Sequence, residues 1–362
     1  MTSLQILKSK FRNKRILITG HTGFKGCWLT QIFLLLDAKI MGISLPKENN
    51  NLCNILNIKE RIVHKEFDLS KNLNFRKYVK EFDPHYLFHL AAQSLVINSI
   101  HDPYYTFRNN INSSLNILEC AKEIRSLKSI IFVSSDKCYN IDNKNKSYKE
   151  TDQIGGALDS YSLSKASNEF IFKNYLEYFL RIKKIGAASV RAGNVLGGGD
   201  FSKYRLIPDL VKSCEKKVSF VFRDPKNIRP WQHVLDCLFG YIFLSDKLVS
   251  NKKKFSGYWN FGPSNLNISA ETFVNKFLKY LNYKNKIKII RLKKNKFTET
   301  KILKLNTNKT RRILKYKNSL NINQTINLTA DWYKLYLQRK SNTQMVYITN
   351  DQILNYIKNI NF

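Results

Sequence analysis

Apolar residues are distributed along the first half of the chain in two alternating styles. Short runs rich in β-branched side chains, at Arg15–Thr19, Lys39–Ser44, Ile62–Glu66, Tyr86–Leu90, Ser129–Ser134 and Ala187–Arg191, read as strands. Between them lie longer segments suited to helices, at Trp28–Leu36, Asn74–Phe82 and Thr106–Ile124. Strands that alternate with helices predict an α/β protein built on a doubly wound, parallel sheet of the Rossmann type.

The first strand runs directly into Gly20-His21-Thr22-Gly23-Phe24-Lys25-Gly26. In such a turn the first glycine permits the tight bend, Gly23 lets the backbone approach a pyrophosphate, and Gly26 lets the helix pack on the strand. The helix N-terminus is then aimed at the phosphates. Ligands of a doubly wound sheet bind beyond the carboxyl ends of its strands. Gly20, Asp68, Ala91-Ala92-Gln93 and Ser134-Ser135-Asp136 all follow predicted strands, so they converge on one crevice. An acidic residue that would bind ribose is expected about 20 residues beyond the glycines. Ser44-Leu45-Pro46 stands there instead, and Lys25 and Lys47 could tolerate an extra phosphate, so the residues leave NAD and NADP both open.

Tyr161 and Lys165 are four residues apart, hence on one face of a helix. A lysine cation beside a positive nicotinamide ring would favour tyrosinate and lower a pKa that starts near 10, making Tyr161 a base toward a sugar hydroxyl. Ser135 supplies a hydroxyl at a strand end. Asp136, immediately after it, supplies what an elimination needs and a simple reductase does not: a proton donor for a departing oxygen.

The composition of the 362 residues, 43% hydrophobic, is enough for an ordinary globular core. Met1–Lys14 lacks the unbroken apolar stretch of a secretory signal, and no segment approaches a membrane span. The six cysteines are dispersed without the close spacing of a zinc or redox site, which predicts reduced thiols, a cytoplasmic protein and no metal. Lys and Arg number 61 against 27 Asp and Glu, a formal charge of +34. A polyanionic partner and compositional drift both account for such a charge. Drift is favoured, because Lys and Asn crowd even 49–54, 143–146 and 284–296 and are not interleaved with aromatics into a stacking platform. Neither nucleic acid nor membrane is therefore expected as a partner, while a basic site suits a diphosphate.

Five segments in order, Gly20–Gly26, His89–Gln93, Ser135–Tyr139, Arg191–Asp200 and Arg229–Val234, resemble the CDP-glucose 4,6-dehydratases. These belong to the extended short-chain dehydrogenase/reductases of the NAD-dependent epimerase/dehydratase family. Trp259–Pro263 and the tail around Trp332 extend the resemblance over residues 13–360. The pair Asp136-Lys137 is the discriminating signal, since dTDP-glucose dehydratases carry Asp followed by Glu.

The resemblance implies NAD as cofactor, held by Gly20, Thr22, Gly23, Phe24, Lys25, Gly26, Asp68, Leu69, Ala91, Ala92, Gln93, Asn110, Tyr161 and Lys165. It implies CDP-glucose as substrate, contacted by Gln93, Asn194, Arg205, Arg229 and His233, the two guanidiniums suiting a diphosphate. Ser135 would bond the sugar's 4-hydroxyl, Tyr161 would be the base, and Lys165 would hold Tyr161 and the nicotinamide ribose. Asp136 would protonate the departing 6-hydroxyl, and Lys137 would assist loss of the carbon 5 proton. Oxidation at carbon 4, loss of water across carbons 5 and 6 and hydride return to carbon 6 would then give CDP-4-keto-6-deoxyglucose. A homodimer is implied too.

The resemblance divides the chain into an NAD-binding domain at 1–194, to which 231–264 returns, and a smaller, discontinuous α+β substrate lobe at 195–230 and 265–362. Two positions depart from the family pattern: Ile97 replaces an arginine, and Ser134 stands where threonine is usual. The rival readings are another nucleotide-sugar dehydratase or epimerase, and a non-catalytic NAD-binding regulator. The complete set Ser135, Asp136, Tyr161 and Lys165 argues against the regulator, which has no use for proton transfer.

Overall fold

Each predicted apolar run forms a strand in the computed structural model, which describes residues 1–46, 52–71, 73–141, 146–222, 225–263, 268–283, 288–291 and 303–360. Lys47 and much of the Asn- and Lys-rich segments 49–54, 143–146 and 284–296 lie outside the described residues. The strands are β1 (Arg15–Thr19), β2 (Lys39–Ser44), β3 (Val63–Glu66), β4 (Tyr86–His89), β5 (Ser129–Val133), β6 (Gly186–Ala192) and β7 (Gly257–Phe261). Among the described residues they make one sheet in the order β3-β2-β1-β4-β5-β6-β7, with every pair parallel. Parallel strands covered on both faces read as unbroken apolar runs, and β4, β5 and β6 are buried throughout.

Alternate side chains feed two layers. Ile16 and Ile18 of β1 join Phe33, Leu238 and Ile242 on one face, under the helices Phe24–Leu35 and Val234–Ser250. Leu17 points the other way and joins Val79, Ile117, Leu118 and Phe172, under the helices Phe75–Phe82, Pro103–Ala121 and Ser160–Tyr175. The first of these helices starts at Phe24, earlier than the expected Trp28, because Gly23 is its N-cap and offers no side-chain signal. The helix expected from Thr106 starts at Pro103, with the Asp102 carboxylate accepting from the Tyr105 amide.

Beyond β6 the chain builds a small layer over the carboxyl ends of the strands. It comprises the pair Val195–Leu196 with Gln232–His233, the helix Leu206–Lys216, and the pair Phe220–Phe222 with Ile289–Arg291. The helix Ile322–Leu337 packs on Ala270–Leu281 and on the strand Gln232–His233 of this layer, and the last helix, Asn342–Lys358, returns to the start of the chain. Asn342–Lys358 packs on the helices Ser3–Phe11 and Phe24–Leu35. The Ser3 hydroxyl donates to the Ile360 carbonyl at 2.7 Å, and Gln31 Nε2 donates to Asn350 Oδ1 at 2.5 Å. The helix Phe24–Leu35 is consequently buried from Gly26 to Phe33 on all sides, as its apolar sequence requires.

Candidate active site

β1 has β2 on one side and β4 on the other, so the connections leaving the sheet diverge at its carboxyl end. A cleft of about 770 Å³ opens there. Gly20 has φ +73°, and a Cβ on it would meet the Ala91 Cα and N at 2.9 Å, so a left-handed glycine is needed where the two strand ends approach. Its amide donates to the Ile43 carbonyl at 2.7 Å, fixing the turn to β2. Gly26 lies against the Gly20 carbonyl and the His21 Cα; its small size serves contact with the turn itself, where packing on the strand was expected. Gly20, Thr22, Gly23, Phe24, Lys25 and Gly26 all line the cleft, presenting the N-terminus of the helix Phe24–Leu35 to it.

Ser135, Asp136, Lys137 and Tyr161 line the same cleft. Ser135 is extended and caps the single helical turn Asp136–Cys138, its hydroxyl accepting from the Lys137 amide at 3.2 Å and donating to Asp136 Oδ1 at 3.0 Å. It also shares a hydrogen bond with the Tyr161 phenol. A strand end and the first turn of the helix Ser160–Tyr175 thus bring a hydroxyl, a carboxyl and a phenol together.

The expected depression of the Tyr161 pKa is not what these residues produce. Burial pushes the phenol up to about 12; the Ser135 hydrogen bond opposes this, Asp136 adds to it, and the Arg205 charge opposes it. Lys165 instead moves down to about 8, first by burial and then by the charge of Lys25. Its ammonium donates to the Val133 carbonyl at 3.2 Å, the last carbonyl of β5. Lys25, in the glycine turn, is itself lowered by burial and by Arg205, while Cys237 and Asp136 raise it. Lys25 and Arg205 thus line the cleft together with Asp136, while Lys165 is buried outside its lining.

Of the remaining expected residues, Leu69, Ala91, Ala92, Gln93, Asn194, Arg205 and Arg229 line the cleft, and Ile97 lines it too. Gln93 spends its amide on its own loop, donating to the Leu95 carbonyl and to Thr106 Oγ1 and accepting from the Leu95 amide. Arg205 Nη1 donates to Asp200 Oδ2 at 2.8 Å and Nη2 to Ser94 Oγ at 3.2 Å, tying the outer layer to the β4 loop.

Asp68, Asn110, Lys165 and His233 are not among the lining residues. Asp68 Oδ1 instead accepts from the amide and hydroxyl of Ser70. Asn110 is a scaffold, accepting from the Gln93 amide and donating to the Gln93 carbonyl and Ser164 Oγ. His233, expected on the substrate side, is buried; its Nδ1 accepts from the Leu235 amide and so caps the helix Val234–Ser250. Burial holds its imidazole down to about 3.

Sequence reasoning gave Arg191 and Gly193 no separate task. Arg191 and Glu169 are a buried ion pair at 2.7 Å, and Arg191 Nη1 also donates to the Tyr139 hydroxyl at 2.9 Å. The pair joins β6, the helix that carries Tyr161, and the turn that carries Asp136. Gly193 makes room for Asp136. Both lie in the Arg191–Asp200 segment, so the motif held the signal without the role.

The sequence profile of the NAD dependent epimerase/dehydratase family matches residues 16–260. The chain belongs to that family. Consistent with this membership, its cofactor is NAD, and the glycine turn with the exposed helix N-terminus fits a pyrophosphate. Among curated proteins, the CDP-glucose 4,6-dehydratase of Salmonella typhimurium LT2 is 36% identical over 273 residues, covering 74% of this chain and 76% of the relative. Solved structures of the same fold include the dTDP-glucose 4,6-dehydratase of Bacillus anthracis in complex with NAD, with TM-score 0.73 and 20% identity over 92% of this chain and 99% of that one. They also include the UDP-glucose 4-epimerase of Thermotoga maritima with UDP-glucose, with TM-score 0.75 and 19% identity over 89% and 99%. Within the family all six cysteines of this chain are free and buried, and no helix among the described residues is long and apolar enough to cross a membrane.

Proposed function

We propose that the protein is a nucleotide-sugar 4,6-dehydratase that converts CDP-glucose to CDP-4-keto-6-deoxyglucose. The observation that carries this is the carboxyl of Asp136 hydrogen-bonded to Ser135 at 3.0 Å inside the cleft, beside Tyr161. Oxidation and re-reduction of a sugar carbon require only the hydroxyl, the phenol and the lysine. An acid at that spot serves the expulsion of water. The similarity to the Salmonella dehydratase and, separately, the Asp136-Lys137 pair of the resembling motifs support both the reaction and the cytidine base.

Ser135 and Tyr161 hold the 4-hydroxyl between them, and Tyr161 Oη receives its proton. At a pKa near 12 the phenol is protonated at neutral pH, so this step relies on positive charge nearby, to which Arg205 contributes and to which a bound nicotinamide ring would add. NAD supplies the hydride acceptor at carbon 4 and the hydride delivered to carbon 6. Asp136 donates the proton that leaves with the 6-hydroxyl oxygen, and Lys137 assists removal of the carbon 5 proton. Gly20–Gly26, Leu69 and Ala91–Gln93 bind the cofactor; Asn194, Arg205 and Arg229 bind the sugar nucleotide, with the guanidiniums on its diphosphate.

The same reading takes residues 1–194 and 231–264 as the NAD-binding unit and 195–230 with 265–362 as the substrate side. The protein would work as a cytoplasmic homodimer without a metal. The test is incubation of the purified protein with CDP-, dTDP-, UDP- and GDP-glucose, followed by mass analysis. A product lighter by one water, formed fastest from CDP-glucose, is expected. An isomer of unchanged mass would make the protein an epimerase and end the proposal.

A further inference from the structure

The chain has four tryptophans, and three of their indole N–H groups are engaged. Trp28 donates to the Gly198 carbonyl at 2.9 Å, Trp259 to the Phe255 carbonyl at 2.8 Å, and Trp332 to Thr349 Oγ1 at 3.0 Å. The fourth, Trp231, is 6% exposed, and its Nε1 has no hydrogen-bond partner. A buried donor left unmade costs about 1–3 kcal/mol, and buried polar groups in folded proteins are nearly all satisfied. Unlike the other three, Trp231 lines the cleft.

Its position is specified closely. The Trp231 amide donates to the Arg229 carbonyl at 2.9 Å, and the indole ring rests on Phe273 with centroids 5.0 Å apart, so the side chain is held. Arg229, two residues earlier, is 8% exposed and lines the same cleft. Pro230, between them, and Asp136 Oδ2 both crowd Gly193, lying 2.6 Å and 3.1 Å from where its Cβ would be. The segment thus lies one residue away from the catalytic carboxyl. In a hexopyranose, carbons 5 and 1 flank the ring oxygen. A sugar that turns carbon 6 toward Asp136 therefore carries its anomeric oxygen, and the phosphate attached to it, to the neighbouring wall. Indole and guanidinium are both donors without acceptor capacity, which selects an anionic oxygen.

We propose that Trp231 is a substrate-specificity residue whose indole N–H donates to the sugar-linked phosphate of the nucleotide, beside Arg229. The proposal rests on the nucleotide-sugar reading above and adds to it the group that distinguishes a diphosphate from a monophosphate. Trp231→Phe keeps an aromatic ring against Phe273 and removes the donor. Calorimetric titration should show CDP binding about tenfold weaker than in the wild type, the effect of one charge-assisted hydrogen bond. CMP, which lacks the second phosphate, and NADH should bind both proteins equally. Unchanged CDP affinity, or an equal loss for CMP, would overturn the proposal.

If the variant does not fold, the wild-type protein with nitrogen-15 in its indoles decides. One of its four indole N–H resonances should move downfield with CDP and stay with CMP, and a spectrum in which none moves refutes the assignment. Should the wild type prefer UDP or dTDP, the reading of the base falls. The same comparison, run with that diphosphate against its monophosphate, still decides the indole.

Discussion

Gly193 and Asp136 are packed so closely that a Cβ at position 193 would lie 3.1 Å from Asp136 Oδ2, and 2.6 Å from Pro230 Cγ. An added methyl collides with Pro230 and presses on the carboxyl, so the wall beside Asp136 must shift. Gly193→Ala should lower the rate of product formation, by up to about 10²-fold if the carboxyl moves by about 1 Å. NADH affinity should be unchanged, since Gly193 crowds Pro230 and Asp136 and not the glycine turn. Titration with NADH alongside turnover checks both halves, and a variant of full activity would show that Asp136 tolerates the shift.

Asp136→Asn keeps the shape and the bond from Ser135 while removing the acid. Oxidation at carbon 4 and elimination should then come apart. With CDP-glucose the variant should accumulate reduced nicotinamide absorbance and release 6-deoxy product more slowly by about 10²–10⁴. Dehydration at the normal rate would leave Asp136 as a turn residue only.

Lys165 and Lys25 predict a movable pH limb. Lys165 is held near 8, and a role that requires its cation is lost as pH rises through that value. Lys25→Met removes one of the charges that depress it, so the Lys165 pKa rises and the alkaline limb of kcat should shift to higher pH, whatever the amplitude. A limb that stays in place would separate the two lysines.

Three buried histidines govern stability in acid. His21, His89 and His233 are all lowered to about 3 by burial, against 6.5 for the ordinary group. The unfolded chain binds their protons first, so each withdraws stability as pH falls from 6.5 toward 3, at up to about 1.4 kcal/mol per pH unit. Asp236 is raised to about 6 by burial and opposes them between pH 6 and 3.8. The histidines outnumber it, so denaturant midpoints should fall between pH 7 and 5. His233→Asn, which can still cap its helix, should flatten that slope; an unchanged slope would place the proton uptake elsewhere.

The sheet was legible because its strands are buried on both faces and carry an unbroken apolar signal, as in β5. The cleft was legible because a doubly wound sheet places strand ends together, and Gly20, Ala91 and Ser135 sit at those ends. What the sequence withheld depends on contacts between distant segments. His233 and Asn110 occur in or near the motifs, yet each commits a polar atom to backbone, which spacing does not disclose. The Tyr161 expectation rests on Lys165 together with a bound nicotinamide ring; among the protein's own groups, burial of the phenol outweighs the neighbouring charges. Gly193 has a task only once Pro230 and Asp136 crowd it.

The return of the last helix to the first has a consequence for synthesis. By the time β6 has left the ribosome, six strands can pair and the cofactor turn can form. The side of Phe24–Leu35 that carries Gln31 still lacks the cover supplied by Asn342–Lys358. The nascent enzyme therefore carries an apolar face in water until residues of that helix, such as Ile353 and Ile357, arrive. A chain stopped before the final helix should be a client of chaperones and proteases instead of a smaller working enzyme.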